Sequence, residues 1–253
     1  MFALNDISVS HQNRPVLDIH DLAIDSRQFT LILGHNGSGK STLLNILSRQ
    51  QKPDTGSVSL NNKALAKYRE KALARELAYL PQHIPEAPGL TVRELVRLGR
   101  FPWRGALGRF TPADNEAIDR AIDQTDIRNM EHQLVDQLSG GERQRAWIAM
   151  LLAQDSPILM LDEPVSALDI SHQYELMTLL KKLHDEQNRG VVVVLHDLNL
   201  ALQFAEQIIA LKHGQVVYHD SVDDFSSSVR LSSLFNRTIE VIEHHEKKVA
   251  VVC

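Results

Sequence analysis

The chain is short of cysteine, of long apolar runs and of surplus positive charge, and each shortage excludes a class. Its one cysteine among 253 residues is the last, Cys253, so an internal disulfide and a Cys-based zinc or iron–sulfur site are ruled out. The longest unbroken apolar run, Ala146 to Ala153, is eight residues, where a bilayer-spanning helix takes about 20. At the N-terminus, Met1-Phe2-Ala3-Leu4 passes at once into Asn5 and Asp6, too short for the apolar region of a signal peptide. Lys and Arg number 27 against 32 Asp and Glu, a formal charge of −5, which argues against a protein that wraps nucleic acid. Internal repeats, low-complexity tracts and heptad runs are also missing. What remains is ordinary globular usage, 43% hydrophobic and 23% charged, in a chain long enough for one sizeable domain or two small ones. The expectation is a soluble protein of a reducing compartment.

Strand-like and helix-like stretches alternate through the middle of the chain, the pattern of an α/β fold with a mainly parallel sheet. Phe29 to Leu33, Ile158 to Leu161 and Val191 to Leu195 are continuous apolar runs, as expected of strands covered on both faces. Each passes into polar residues at its carboxyl end, the edge where open α/β sheets bind ligands. After Ser171, the residues Tyr174, Met177, Leu180 and Leu183 make one helical stripe that Gly190 can terminate. From about His83 to Gln137 the chain reads as a helical insert, with Thr111 as N-cap, Pro112 in the first turn and Asp114 behind it. Ile118, Ala121, Ile122 and Thr125 continue that helix's face. The N-terminal part reads as antiparallel strands. Ile239 and Val241, then Val249 and Val251, alternate as in a small terminal hairpin.

Gly34-His35-Asn36-Gly37-Ser38-Gly39-Lys40-Ser41 fits the phosphate-loop pattern Gly-x4-Gly-Lys-Ser/Thr, with Thr42 opening the helical segment behind it. The glycines let backbone amides turn inward around an anion, and the following helix aims its positive end at the same place. In this arrangement Lys40 bridges the β- and γ-phosphates and the Ser41 hydroxyl ligates Mg2+. With glycine near 7% of residues, the four fixed positions match by chance in roughly one chain of this length per hundred, and the strand before and helix after make chance rarer still. The apolar run 158–161 ends in Asp162-Glu163-Pro164. One carboxylate there can hold Mg2+ and the next can polarise an attacking water. An acid pair alone means little, being usually a solvated surface feature; behind a buried strand, in a chain with a phosphate loop, it means much more.

A second anion site lies far downstream: Leu138-Ser139-Gly140-Gly141-Glu142-Arg143-Gln144 sets a Ser at a helix N-cap before two glycines. Two such sites for one nucleotide suggest that the second serves a nucleotide held by another subunit. On this motif the sequence closely resembles the ATP-binding subunits of ABC transporters, over nearly the whole chain from about Leu4 to about Gly214. The resemblance implies a P-loop core (1–82 and 156–253, RecA-like with antiparallel strands) and a helical subdomain carrying the signature (83–155), all one ABC ATPase domain. It gives Lys40 and Ser41 the Walker A roles and Gln82, in Tyr79-Leu80-Pro81-Gln82, the glutamine that touches Mg2+ and relays to the membrane subunit. Asp162 becomes the Walker B aspartate, Glu163 the general base, Asp169 in Ser166-Ala167-Leu168-Asp169 the D-loop acid, and His196 in Leu195-His196-Asp197 the switch histidine. Ser139 and Gly141 then meet the γ-phosphate of the opposite protomer, in a head-to-tail homodimer with two ATPs in its interface. One position departs: where the family has an aromatic that stacks on adenine, His11 stands, and its smaller face implies weaker adenine discrimination.

Within the insert, Thr91 to Trp103 is similar to the ATPases of iron–siderophore importers, and Gly105-Ala106-Leu107-Gly108-Arg109-Phe110 is most similar to the ferric hydroxamate type. Ala146-Trp147-Ile148-Ala149-Met150 and Gln154-Asp155 add to that match. The resemblance therefore implies ATP and Mg2+ as cofactors and transmembrane permease subunits as partners, received in a groove of the insert. A periplasmic or surface siderophore-binding protein is implied as an indirect partner, no nucleic acid is expected, and the location is the cytoplasmic face of the inner membrane. Importers of vitamin B12 or haem are the alternative within the class. A non-transport ABC ATPase acting on ribosomes or DNA is the alternative outside it. Ribosomal forms carry two such domains where this chain has one phosphate loop, and the stretch from Gln82 to Ser139 is too short for the coiled coil of DNA-end forms. The 12 histidines are dispersed without metal-ligand spacing; His244-His245 reads as an exposed pair near a turn.

Overall fold

The computed structural model describes residues 1–253 except Ala106, Leu107, Ala167 and Glu246. Six strands make the central sheet: β3 (Phe29–Gly34), β6 (Leu77–Leu80), β7 (Ile158–Asp162), β8 (Gly190–Val194), β9 (Gln207–Lys212) and β10 (Gln215–Ser221). Their order is β10-β9-β3-β8-β7-β6, parallel except for the β9–β10 edge pair. The apolar runs need two covers, and they have them. Phe29, Leu31, Leu159, Leu161, Val191 and Val193 face one core, while Ile32, Ile158, Met160, Val192 and Val194 face the other, as the two-residue strand period requires.

The second face is covered by α1 (Lys40–Leu47) and by an antiparallel sheet in the order β2-β1-β4-β5, built of β1 (Phe2–His11), β2 (Arg14–Ile24), β4 (Thr55–Leu60) and β5 (Lys63–Ala64). The first face receives α3 (Val92–Leu98), α5 (Pro112–Gln124), α6 (Gly140–Ala153), α7 (Ile170–Gln187) and α8 (Leu198–Phe204). Short helix α2 (Glu70–Glu76) precedes the insert and packs on α4 (Phe101–Arg104) within it, and α9 (Val222–Phe225) and α10 (Ser228–Phe235) lead to the hairpin β11 (Ile239–His244) and β12 (Lys247–Val252). The α5 start is as its sequence predicts: Thr111 caps the Asp114 N–H, Asp114 caps back, and Pro112 sits in the first turn.

Three local expectations are corrected. Helix α7 ends at Gln187 with Asn188 in the left-handed C-cap conformation; Gly190 instead opens β8, where a Cβ would lie 1.7 Å from the Ser26 carbonyl oxygen. The stripe of α7 is Leu176, Met177, Leu180 and Leu183, with Tyr174 at its exposed margin, tilted against Phe204. In β12 the buried residue is Ala250, and Val251 is exposed, so that strand presents the opposite face from the one its valines predict.

Candidate functional site

The phosphate loop leaves β3 at Gly34 and enters α1 at Lys40. Gly34, Gly37 and Gly39 have φ of 149°, 76° and 100°, backbone that L side chains resist and glycine accepts. Gly39 must also be small because a Cβ there would sit 2.8 Å from the Val16 carbonyl oxygen. Lys40 is buried, its Nζ donating to the carbonyls of Gly34 (3.0 Å) and His35 (3.1 Å). Burial lowers its pKa, against the pull of the Glu163 and Asp162 carboxylates. A phosphate would supply the charge partner that two neutral carbonyls do not.

Across the loop, the Ser41 hydroxyl donates to Asp162 Oδ1 at 3.1 Å. Burial raises the Asp162 pKa; the Ser41 hydrogen bond opposes this, the Glu163 charge adds to it, and Lys40 and His196 oppose it. Glu163 follows with φ 48°, a left-handed conformation that costs a non-glycine residue about 1–3 kcal/mol. It is held by its N–H to the Val194 carbonyl (3.2 Å) and by Ser166, whose N–H and hydroxyl donate to the Glu163 carbonyl. The side chain is thereby placed between Gln82 and His196: Gln82 Nε2 donates to Oε2 at 2.6 Å, and His196 Nε2 donates to Oε1. A cavity of about 320 Å³ is lined by Val16, Asn36, Gly37, Gly39, Lys40, Ser41, Thr42, Gln82 and Glu163.

The signature residues lie elsewhere in the chain. Ser139 caps α6, accepting from the Glu142 N–H while the Glu142 carboxylate accepts from the Ser139 N–H and hydroxyl. Ser139, Gly140 and Gly141 line a separate cavity of about 500 Å³ together with Asp169. Asp169 caps α7 by accepting from the His172 N–H at 2.9 Å, and that bond, with the His172 ring behind it, holds its pKa below the usual value. The motif residue Ala167 lies outside the described residues, as do Ala106 and Leu107 of the insert.

The structure thus brings Lys40, Ser41, Gln82, Asp162, Glu163 and His196 together and keeps Ser139, Gly140, Gly141 and Asp169 apart from them. Gly34, His35 and Ser38 shape the loop without lining the cavity. His11 is exposed at the end of β1, paired with Arg14, and does not line it either. Sequence reasoning missed Val16, the cavity wall, whose carbonyl reaches Gly39 from β2, a separate segment of the chain. It also missed Tyr79, whose hydroxyl donates to Asn45 Oδ1 at 2.7 Å and whose pKa burial and the nearby Asp162 push up to about 12. In the insert, Arg100 is buried and donates to Asp114 Oδ1 and the Ala153 carbonyl, while Phe110 lies between the guanidinium groups of Arg97 and Arg104.

The donor set suits its expected occupants. A hydroxyl and a carboxylate 3.1 Å apart, with the Gln82 amide at the same cavity, are hard oxygen ligands of the kind Mg2+ takes. The Ser38 hydroxyl is buried with no partner among the described residues, a polar atom that a phosphate-filled loop can accommodate.

Residues 17–166 match the sequence profile of the ABC transporter family. The chain is 41% identical over 238 residues to the Probable siderophore transport system ATP-binding protein YusV of Bacillus subtilis (strain 168), covering 94% of this chain and 86% of that one. It is 39% identical over 237 residues to the Iron(3+)-hydroxamate import ATP-binding protein FhuC of the same organism, covering 93% and 88%. Among solved structures, the dimeric MJ0796, a bacterial ABC transporter cassette, superposes with a TM-score of 0.79 at 32% identity, covering 88% of this chain and 99% of that one. The chain belongs to the ABC transporter family, as one of its ATP-binding, ATP-hydrolysing subunits.

Proposed function

We propose that the chain powers import of a ferric siderophore through a separate membrane permease, hydrolysing ATP at the carboxyl edge of its central sheet. The observation that carries the chemistry is the convergence of Gln82 and His196 on Glu163 beside Lys40 and the Ser41–Asp162 pair. The siderophore class is supported by the relatives, named for siderophore transport and iron(3+)-hydroxamate import.

In this reading the amides of Gly37, Ser38, Gly39 and Lys40 cradle the β- and γ-phosphates, and the Lys40 ammonium exchanges its carbonyl partners for phosphate oxygens. Ser41, Asp162 and Gln82 would hold Mg2+, which when bound neutralises charge on those oxygens. Glu163, aimed by Gln82 and His196, orients the attacking water and takes its proton. His196 then faces the γ-phosphate. Ser139, Gly140, Gly141 and Asp169, distant from the phosphate loop of their own chain, serve the nucleotide of a second copy in a head-to-tail homodimer; MJ0796 is itself described as dimeric. His11 stands beside the adenine.

The division into a core (1–82 with 156–253) and a helical subdomain (83–155) follows the same reading. The groove between them, about 940 Å³ and lined by Asn45, Arg49, Tyr79, Gln82 and Gln154 among others, is where the permease is received, on the cytoplasmic face of the inner membrane. Among the described residues no helix is long and apolar enough to cross it. A siderophore-binding protein outside the membrane is the indirect partner. The test is reconstitution with candidate permeases. Substrate-stimulated ATPase with a siderophore-type permease is expected; assembly with a cobalamin or haem permease alone would overturn the siderophore assignment.

A further inference from the structure

The C-terminal unit, α10 with the β11–β12 hairpin, touches the phosphate loop at one end and, at the other, helix α8, which follows His196. A two-stranded hairpin is at best marginal by itself, and this one is tied to its neighbours through backbone groups of Ile239, Val241 and Ala250. On the β11 side, the Ile239 and Val241 N–H groups donate to the hydroxyls of Ser232 (2.9 Å) and Ser228 (2.9 Å), one turn apart on α10. On the β12 side, the Asn199 amide acts as a third strand: its Oδ1 accepts from the Ala250 N–H at 2.8 Å and its Nδ2 donates to the Ala250 carbonyl at 3.3 Å. Val241 and Ala250 face each other in register, so both turn these groups away from the pair.

Asn199 lies on α8, seven residues long, which begins immediately after His196-Asp197. A helix of two turns does not hold its own position; α8 is placed by α7 and β12, and the position of His196 follows. At the other end, Phe235, the last residue of α10, meets the His35 ring edge-on, centroids 5.2 Å apart. The Lys212 ammonium fixes that end by donating to the Ser233 carbonyl and Asn236 Oδ1. The His35 carbonyl accepts from Lys40 Nζ and from the Ser38 N–H, so the residue that Phe235 holds is the one that shapes the lysine's resting place.

We propose that this C-terminal unit is a positioning brace for ATP hydrolysis: Phe235 sets the phosphate loop through His35, and Asn199 with Ala250 sets His196 through α8. The proposal rests on the assignment of the phosphate loop and His196 to the ATP site. It predicts two separable defects in the full chain. Phe235→Leu keeps the apolar volume and loses the ring pair, raising the Kd for Mg-ATP about two- to tenfold with kcat little changed; Phe235→Tyr restores the affinity. Asn199→Ala lowers kcat about three- to tenfold with KM nearly constant. Nucleotide titration by fluorescence, steady-state ATPase and thermal melting are measured on each variant. Wild-type Kd for Phe235→Leu and wild-type kcat for Asn199→Ala would overturn the brace. So would parallel loss of both parameters in step with a lowered Tm, the mark of general loosening. Lys40→Ala separates the two ideas: if it binds Mg-ATP like the wild type, the ATP-site assignment itself falls, whereas silent Phe235 and Asn199 variants beside a defective Lys40→Ala remove only the brace.

Discussion

Replacing Arg100 with methionine tests the packing that joins the insert's helices. The guanidinium and the Asp114 carboxylate are 8% and 6% exposed. Arg100 Nε donates to Asp114 Oδ1 at 2.8 Å and Nη1 donates to the Ala153 carbonyl at 2.8 Å, tying α4, α5 and the end of α6 together. Removing one member of a buried pair costs about 3–5 kcal/mol, because the other charge is left uncompensated. Here the lower end applies to the pair, since Asp114 Oδ2 keeps the Thr111 N–H (2.9 Å) and hydroxyl (2.7 Å). The orphaned Ala153 carbonyl adds about 1 kcal/mol, so Arg100→Met should lose about 4 kcal/mol. At about 2–4 °C per kcal/mol for a chain of this size, Tm falls by about 8–16 °C. Urea unfolding followed by circular dichroism should show a lower midpoint at unchanged slope. The double variant Arg100→Met/Asp114→Asn should recover a large part of the loss, since no buried charge then lacks a partner. A Tm shift under about 3 °C, or a double variant as unstable as the sum of its parts, would refute the claim that the ion pair is what holds these helices.

Glu163→Gln should retain ATP binding and lower kcat by about 10²–10⁴-fold, the usual share of general acid–base catalysis, accumulating an ATP-bound dimer on gel filtration; full-rate hydrolysis would remove the general-base assignment. Lys40→Ala should lose tight nucleotide binding, whereas Ser139→Arg should bind nucleotide and fail to turn over, a contrast that equilibrium binding and ATPase assays resolve. Gly190→Ala should cost about 3 kcal/mol or more, since its Cβ meets a backbone carbonyl at 1.7 Å that no rotamer change can move; a wild-type melting curve would contradict that contact. For Asp114, burial pushes the carboxyl up, but hydrogen bonds from the Thr111 N–H and hydroxyl and from Arg100 outweigh it and hold the pKa below its ordinary value. The stability this confers is present above the unfolded value of about 3.9 and is lost as pH falls through the folded one, so the Tm gap between wild type and Asp114→Asn should narrow below about pH 4.

What the sequence makes legible is what it encodes locally. The phosphate loop, the Thr111 and Ser139 caps and the three apolar strands each lie within a few consecutive residues, and the structure has them where those residues predict. The failures come from contacts between distant segments. Gly190 reads as a helix stop, but the left-handed cap falls to Asn188 and the glycine answers to Ser26, far upstream and invisible in any window. The valines of β12 outweigh Ala250 in any hydrophobic pattern, yet Ala250 is the buried residue, its backbone bonded to Asn199 of α8. Val16 and Phe235 flank the phosphate loop from opposite ends of the chain, and neither belongs to a motif.

The order of the sheet explains why motifs scattered along the chain meet. In parallel strands every carboxyl end opens on the same edge, and β3, β8, β7 and β6 are consecutive neighbours there. Their exits deliver, side by side, the phosphate loop, His196, the Asp162-Glu163 pair and Gln82. Glu163 leaves the strand between the other two exits, so Gln82 and His196 reach it from opposite sides, and its left-handed backbone turns the carboxylate into that gap where an extended residue would continue the strand. Asp162, one residue earlier, still has strand geometry and points to Ser41. The change of backbone conformation between adjacent acids therefore sends one carboxylate to Ser41 and the other to Gln82 and His196. Ser139 leaves no strand at all: it starts a helix of the insert, and its distance from the phosphate loop follows from the same topology that assembles the rest.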